Sequence, residues 1–342
     1  MFQRSSALYS IFYATFPRIG YPEDILVMLD SVRPYAIGLL TYTPFRKRYM
    51  LNKTGGTNNA RYCYAVFMRH LKYGWPEMSE FPQNVAELGP GDSIGVGLCW
   101  LIAGAKKYYA FDVENYTESP RTLAIFDELV ELFRARSPIP TQREHPNLKP
   151  NLDDLTFPSY ILTENQLRDA LNDDRLANIR NSLNESAGDD ESPISFLVPW
   201  HYQGNIRPGS IDLIYSQAVM EHVDDLGSVY ENSKTWLRRG GIISHQIDFK
   251  SHGTSVGWDG YRAYSDLSWR IVRGTRPYAI NRVPSSEHFK AIHEYGFRVI
   301  NEVRAYLDPT LAPRQYAKRF KNLDSEDKRT AGLFIQAVKE SG

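Results

Sequence analysis

The stretch of residues 85–112, VAELGPGDSIGVGLCWLIAGAKKYYAFD, constrains the fold of this chain most strongly. A short apolar run is followed by a glycine turn at residues 89–91, a helical stretch that ends near Gly104 and a second apolar run, Tyr108–Phe111. An acid, Asp112, comes about 20 residues after the turn, which is the spacing of an acid that binds a ribose. Glycines let a ligand approach the backbone, and helix N-terminal amides face its polar atoms. The stretch therefore predicts a strand–turn–helix–strand unit that binds an adenosine-containing ligand.

The residues just after the turn narrow the class of ligand. We expect Asp92 or Ser93 to cap the helix. A dinucleotide fingerprint needs Gly or Ala at the position of Ile94, so that helix and strand pack closely. Ile94 therefore argues against NAD or FAD. The sequence also has no G-x-x-x-x-G-K-[ST] motif, which argues against a nucleoside triphosphate held in a P-loop.

The same turn resembles a known motif. Glu87-x-Gly89-x-Gly91 resembles motif I of the class I S-adenosylmethionine (SAM)-dependent methyltransferases, and Asp112 matches that family's ribose-binding acid. Ser93 stands where the family has its third glycine. A glycine turn by itself is also compatible with other α/β proteins, so the resemblance depends on a second motif.

That second motif lies in residues 210–248. In the small-molecule branch of the family, a strand ending in D-hydrophobic-hydrophobic-x-S-x-x-x-hydrophobic-E-H-hydrophobic is followed by a helix and L-x-x-G-G. This chain has SIDLIYSQAVMEHV at 210–223 and WLRRGGIISHQID at 236–248. The resemblance covers about residues 84–115 and 193–340, and it identifies the chain as a member of this family.

The resemblance implies an α/β fold with a doubly wound, mostly parallel seven-stranded sheet of the Rossmann-like methyltransferase type and an antiparallel C-terminal strand. We expect an N-terminal helical cap over 1–80 and a methyltransferase domain over 81–342. A helical insertion is expected at about 116–192, because the next convincing strand after Asp112 begins only at Ile194. Two roles stay open for the cap: it lines the acceptor pocket, or it only covers the sheet.

Apolar periodicity predicts the remaining elements. Helices are expected at Asp24–Val32, Arg61–Leu71, Thr122–Arg136, Glu164–Glu185 and Ser285–Tyr295, with a further helix ending at Trp236. Strands are expected at Ile194–Trp200, Ile211–Ser216, Ile242–Phe249, Phe297–Arg304 and Gly332–Val338. We expect the glycine pair 240–241 to close the helix that precedes the strand from Ile242.

Composition excludes several partners. Lys+Arg and Asp+Glu both number 40, so no basic field points to nucleic acid. Cys63 and Cys99 lie far apart and outside any Cys/His cluster, so we expect no disulfide framework, no metal site and a cytoplasmic location. No apolar run is long enough to cross a bilayer, and the N-terminal residues lack a signal-peptide pattern. The remaining class of partner is a small-molecule or saccharide acceptor. The sequence does not indicate the oligomeric state.

The resemblance also implies the residues of the SAM site, because ligands of open α/β sheets bind beyond the carboxyl ends of the strands. Two alternatives stay open: Glu87 only braces the turn, and Trp200 only packs in the core. The expected roles are the methionine portion for Glu87, Gly89 and Gly91, the ribose for Asp112, the adenine for Pro199 or Trp200, and a position beside the cofactor for Gln217.

A hydroxyl acceptor would benefit from a general base near the sulfonium. His252 is our first candidate and Asp248 the second, because both lie at or just past the carboxyl end of a strand. Side chains alternate along a strand, so His245 and Asp248 point to opposite faces, and we interpret His245 as a buried core residue. This alternation also argues against a metal held by these residues. His222 is expected to begin a helix beside the cofactor.

The predicted function is O-methylation of a small molecule or saccharide, such as a sugar or a nucleotide-linked sugar. Residues 251–282 are dense in aromatic side chains and arginines, which suit sugar rings and phosphates, although the same residues could simply pack together. Two alternatives stay open: N- or C-methylation of a small metabolite, and a SAM-binding protein without turnover.

Overall fold

The computed structural model describes residues 23–44, 56–78, 80–113, 120–183, 192–198, 206–276 and 278–340. Its helices and strands are, in chain order, α1 (Glu23–Leu40), α2 (Ala60–Gly74), β1 (Asn84–Leu88), α3 (Gly95–Ile102), β2 (Lys107–Phe111), α4 (Pro120–Arg134), α5 (Glu164–Ala170), α6 (Asp173–Ser182), β3 (Ile194–Leu197), β4 (Ile211–Gln217), α7 (Leu226–Trp236), β5 (Leu237–Asp248), α8 (Asp266–Arg273), α9 (Ser285–Glu294), β6 (Phe297–Tyr306), α10 (Ser325–Arg329) and β7 (Thr330–Lys339).

The strands described here form one seven-stranded sheet with the order β3-β2-β1-β4-β5-β7-β6. Strands β3, β2, β1, β4 and β5 are parallel neighbours, and β7 pairs antiparallel with β5. Helices α3 and α7 connect parallel strands, as a doubly wound sheet requires. The predicted fold class, with its antiparallel C-terminal strand, is confirmed.

The core lies where α2 and α3 pack against the sheet. Trp100 of α3 is fully buried, with Phe67 of α2 at 4.7 Å between ring centroids and Tyr215 of β4 at 6.0 Å. Edge-to-face and tilted rings at such distances are favourable aromatic contacts. The glycine at Gly97 lets α3 approach β2, because a Cβ at that position would lie 2.1 Å from the ring of Tyr108.

Several element boundaries differ from the predictions, and three of the differences have a local physical cause. Helix α3 begins at Gly95 with Ile94 as its N-cap residue, two positions later than a helix capped by Asp92 would begin. The predicted helix over Glu164–Glu185 is two helices, because the side chain of Asn172 caps a new helix by accepting from the amides of Asp174 and Arg175. Asn is a favoured N-cap because its side-chain oxygen satisfies such amides.

The third difference concerns the glycine pair 240–241, which lies inside strand β5 instead of closing a helix. Leu237 is already extended, directly after α7. Ile211 of β4 pairs with Leu237 of β5, and Leu213 pairs with Ile242. Between these two pairs β4 advances by two residues and β5 by five, so β5 has extra residues that bulge out of the pairing. This irregularity in the pairing needs a residue at positive φ, and Gly240 has a φ of 73°. The prediction of a glycine-closed helix was wrong. A helix C-terminus and an irregular strand pairing both favour glycine at positive φ, so the glycine pair did not distinguish them.

The chain divides into two compact units. Unit 1 comprises 1–53, 249–282 and 307–331, and unit 2 comprises 54–248, 283–306 and 332–342. Residues 54–80, which the sequence analysis assigned to the N-terminal cap, thus lie in unit 2. The predicted domain bounds at 80/81 and the insertion at 116–192 stay predictions.

Unit 1 contains a close contact between α1 and α8. A Cβ at Gly38 would lie 1.8 Å from the carbonyl oxygen of Ile271, so glycine is needed where the two helices meet. The hydroxyl of Thr41 accepts a hydrogen bond from the amide of Thr275 at 2.9 Å. Among the helices described, none is both long and apolar enough to span a lipid bilayer.

Candidate active site

Four parallel strands of unit 2 end at one edge of the sheet. Strands β1, β2, β4 and β5 end at Leu88, Phe111, Gln217 and Asp248. In open α/β sheets, ligands bind at this carboxyl edge, where the order of the strands reverses. The sequence order reverses between β1 and β4, so the glycine turn after β1 lies at that point.

The turn after β1 has the backbone conformation that requires glycine. Gly89 has a φ of 63° and Gly91 a φ of 76°, both in the left-handed region that side chains disfavour. A Cβ at Gly89 would also lie 2.7 Å from Cγ2 of Val219. The amide of Gly89 donates to the carbonyl of Phe111 at 2.7 Å, which ties the turn to the end of β2.

Glu87 is buried one residue before the end of β1. Its Oε2 accepts hydrogen bonds from the hydroxyls of Tyr108 at 2.5 Å and Tyr215 at 2.8 Å. Burial raises the pKa of Glu87 from 4.5 to about 7, against the opposing effect of these two hydroxyls, and the charge of Asp112 raises it further. Glu87 therefore joins the neighbouring strands; both roles named in the sequence analysis, bracing the turn and contacting a cofactor, stay predictions.

A row of polar side chains crosses the sheet at the level of Glu87. In the strand register, Glu87 lies beside Tyr215, Tyr215 beside Ser244, and Ser244 beside Gln336. The hydroxyl of Ser244 contacts Nδ1 of His70 from α2 at 2.6 Å and accepts from the amide of Gln336 at 2.8 Å. Burial lowers the pKa of His70 to about 3. Sequence reasoning missed this row, although a polar residue in the middle of each buried strand was a readable signal.

Asp112 lies directly after β2 at the same edge. Its amide donates to the carbonyl of Leu197 at 3.3 Å, and its Oδ1 accepts from the amide of Val113 at 2.7 Å. Its charge acts on Glu87 of the neighbouring strand. The charge of Asp112 gives this edge a negative potential that favours a cationic ligand, whereas Glu87 adds little to it because its pKa is raised to about 7.

The end of β4 combines Gln217 with groups that the sequence analysis did not select. The side-chain amide of Gln217 donates to Oε1 of Gln246 at 3.0 Å. Gln217 lowers the pKa of Tyr62 on α2, but the larger effect of burial raises that pKa to about 12. Ala218 follows with a φ of 55°, a strained conformation for a residue with a side chain. Tyr62 was missed because it lies outside both motifs, and Ala218 and Gln246 because the family pattern specifies no residue type at their positions.

The candidate bases lie in different surroundings. His245 is fully buried, its Nδ1 lies 2.8 Å from the hydroxyl of Ser216, and burial lowers its pKa to about 3, so its interpretation as a core residue is confirmed. Asp248 is the last residue of β5 and is partly buried. His252 is an exposed residue of unit 1 with a φ of 48°. His222 lies in a short 3₁₀ turn, Met220–His222.

The expected adenine contacts, Pro199 and Trp200, lie outside the described residues.

The aromatic and arginine side chains of 251–282 pack against one another inside unit 1. Arg262 lies over the rings of Trp258 at 5.1 Å and Tyr261 at 5.6 Å, and Arg282 over Trp269 at 4.9 Å. Four of these five side chains are buried, Trp258 being the exception. They stabilise unit 1 through cation–π contacts.

Comparison with known proteins gives matches among solved structures alone. No protein-family model matches the chain, and no curated protein matches it. A SAM-dependent methyltransferase from Mesorhizobium loti is 13% identical, with a TM-score of 0.35 over 78% of this chain and 98% of its own. One from Methanosarcina mazei is 12% identical, with a TM-score of 0.40 over 78% and 97%. Phosphoethanolamine N-methyltransferase 2 from Haemonchus contortus, in complex with SAM, is 11% identical, with a TM-score of 0.40 over 87% and 60%.

The strand order and the glycine turn, rather than these loose superpositions, define the fold class. A seven-stranded sheet with five parallel strands, an antiparallel β7 and a glycine turn after β1 is the Rossmann-like methyltransferase fold that the sequence resemblance implies.

Proposed function

We propose that this chain is a SAM-dependent methyltransferase. The observation that carries the proposal is the glycine turn at the reversal point of the sheet, with Asp112 at the end of the adjacent strand. Gly89 and Gly91 have positive φ values that side chains disfavour, so the turn is bare backbone, and a carboxylate after β2 suits the two hydroxyls of a ribose. These residues fit an adenosine-containing cofactor.

The charge of the edge supports SAM among such cofactors. SAM supplies a methyl group on a positively charged sulfonium, so the chain has no electrophile to generate. The charge of Asp112 places negative potential at the carboxyl edge, which favours a cation. The chain's own task is to hold the acceptor in line with the methyl group and to exclude water. Proximity and orientation of this kind lower a barrier by about 7–11 kcal/mol.

The proposed acceptor is the hydroxyl of a small molecule, with sugars and nucleotide-linked sugars as the first classes to examine. Support comes from the end of β4, where Gln217 and Gln246 present neutral groups that hydrogen-bond each other and match hydroxyls. Four of the ten aromatic and arginine residues of 258–282 add no support, because Tyr261, Arg262, Trp269 and Arg282 are buried inside unit 1. His252, and after it Asp248, is the proposed base. The proposed location is the cytoplasm, in keeping with two free, buried cysteines.

Calorimetry with purified full-length chain tests the cofactor first. We expect micromolar binding of SAM and S-adenosylhomocysteine and none of NAD or ATP at the same concentrations. If neither SAM nor S-adenosylhomocysteine binds, the proposed function is wrong. NAD and ATP serve as matched nucleotides, because they share the adenosine but lack the sulfonium or thioether.

A screen with SAM labelled on its methyl group then tests the acceptor. Sugar nucleotides, glycolipid fragments and phenolic metabolites are compared with amines of similar size. Label on hydroxyl-bearing compounds supports O-methylation, label on amines alone would make the chain an N-methyltransferase, and binding without any transfer would favour a SAM-binding protein without turnover.

A further inference from the structure

The loop before α2 is bonded to the glycine turn of the site. Thr57, in this loop, is buried, and its hydroxyl accepts a hydrogen bond from the amide of Ser93 at 3.1 Å. The hydroxyl of Ser93 donates in return to the carbonyl of Thr57. Ser93 is 1% exposed, so water does not compete for these bonds. A pair of side chains thus joins two segments that are 36 residues apart in sequence.

The same serine also supports the start of α3. Its Oγ accepts from the amide of Gly95, the first residue of the helix, at 3.1 Å. The carbonyl of Thr57 takes a second hydrogen bond, from the thiol of Cys63 on α2 at 3.2 Å. A Cβ at Gly95 would lie 2.5 Å from Sγ of Cys63, so α2 and the start of α3 are also in close contact. The backbone between Gly91 and Gly95 is therefore fixed from both sides.

Ser93 occupies the position of the third glycine in motif I. Glycine there has no side chain and offers only a backbone amide, whereas serine here contributes one donor and one acceptor that are both used. The departure from the motif thus coincides with the contact to Thr57. A serine without its partner would leave a buried amide and a buried hydroxyl unsatisfied, which is costly.

We propose that Thr57 and Ser93 form a clamp that holds the glycine turn in the conformation that binds SAM, so that Thr57 is a positioning residue for the cofactor. This inference rests on the proposed function. Without the clamp, the free turn relaxes into conformations in which water satisfies the amide of Ser93. Binding must then restore the single competent conformation, which reduces the apparent affinity by the fraction of chains that hold it.

Calorimetric titration of SAM and S-adenosylhomocysteine into clamp variants tests the proposal. Thr57→Val keeps the shape of the side chain and removes the acceptor of the Ser93 amide, and we expect about tenfold weaker binding of both ligands. Thr57→Ser restores the hydroxyl and should bind within about twofold of the wild type. Thr235→Val is the matched control, since it removes a threonine hydroxyl whose one partner is the Glu231 carbonyl within α7, and its binding should be unchanged.

Ser93→Gly gives the sharper test, because it recreates the third glycine of the motif. The clamp predicts that this variant binds SAM about tenfold or more weakly, since both side-chain hydrogen bonds of Ser93 are lost. If the turn needs only a glycine at position 93 to bind SAM, Ser93→Gly should bind SAM as well as the wild type or better. This result would overturn the proposal. Equal affinities of Thr57→Val and wild type, with a lower melting temperature alone, would show a purely structural role and would overturn it too.

The outcomes separate this inference from the proposed function. If the wild type does not bind SAM or S-adenosylhomocysteine, both fall. If the wild type binds and the variants bind alike, only the clamp falls. Should Thr57→Val fail to fold, Ser93→Gly alone decides the question.

Discussion

The hydroxyl of Tyr108 on β2 donates a hydrogen bond of 2.5 Å to Oε2 of Glu87 on β1. Tyr215 on β4 donates to the same oxygen, so one carboxylate oxygen joins three adjacent strands. A buried carboxylate is tolerated when it is hydrogen-bonded, and these hydroxyls partly offset its desolvation. Glu87 thus acts inside the sheet while the turn after it faces the candidate site.

The raised pKa of Glu87 predicts a dependence of stability on pH. Folded Glu87 keeps its proton up to about pH 7, against 4.5 for an ordinary glutamate, so unfolding releases a proton between these values. The free energy of unfolding should therefore fall as pH rises from 4.5 to 7. At about 1.4 kcal/mol per pH unit the loss approaches about 3 kcal/mol.

Urea denaturation of wild type and Glu87→Gln at pH 5, 6, 7 and 8 measures this contribution. The difference between the two chains should change by about 2–3 kcal/mol over this range, in favour of the variant at high pH. Glu231→Gln, an exposed site on α7, is the control and should parallel the wild type. Parallel pH profiles for Glu87→Gln and wild type would contradict the assignment.

Gly97→Ala should destabilise the chain by about 2 kcal/mol or more, because the new Cβ would lie 2.1 Å from the ring of Tyr108. Moving that ring also weakens its hydrogen bond to Glu87. Gly209→Ala is the matched control: it has a φ of 69° but no neighbouring atom within 4 Å, so only backbone strain of about 1 kcal/mol is expected. Urea denaturation at pH 7 compares them, and a smaller loss for Gly97→Ala than for Gly209→Ala would refute the packing argument.

Asp112→Ala should weaken SAM binding by about tenfold or more, since a charge-assisted hydrogen bond to a ribose hydroxyl contributes about 1.5–3 kcal/mol. Asp169→Ala, an exposed acid on α5, removes the same charge elsewhere in unit 2 and should leave the affinity unchanged. Calorimetric dissociation constants provide the measurement. An affinity for Asp112→Ala within about twofold of wild type would remove the assignment of Asp112 to the ribose.

His252→Ala should lower turnover by about 10²–10⁴-fold with a hydroxyl acceptor and leave the dissociation constant of SAM unchanged. Asp248→Asn is the second variant, for the case that the aspartate is the base. His293→Ala, on the exposed side of α9, is the histidine control. Turnover is measured with the acceptor identified by the methyl-label screen, and full activity of His252→Ala would exclude it as the base.

The sequence predicted the parts of the fold that local patterns determine. The glycine turn at 89–91, the strand from Tyr108 to Phe111 and the core position of His245 all follow from residue type and alternation, and all three are confirmed. The antiparallel strand at the C-terminus followed from the resemblance to the methyltransferase family.

Contacts between residues far apart in the chain could not be predicted from the sequence. Thr57 contacts Ser93 because α2 and the loop before it fold back over the sheet, and no local pattern indicates such a pair. The glycine pair 240–241 was assigned to a helix end because positive φ is equally compatible with an irregular strand. The composition of 251–282 suggested ligand contacts, whereas burial among neighbours explains four of the ten aromatic and arginine side chains.

The polar row from Glu87 to Gln336 has a consequence for how the sheet assembles. Sliding any one strand by a single residue would turn its polar side chain to the opposite face and leave the neighbours' hydrogen-bonding groups buried and unpaired. Apolar β-branched residues alone would tolerate several alignments of such strands. The row therefore allows one register of the strands. This register determines where the ends of β1, β4 and β5 lie relative to one another.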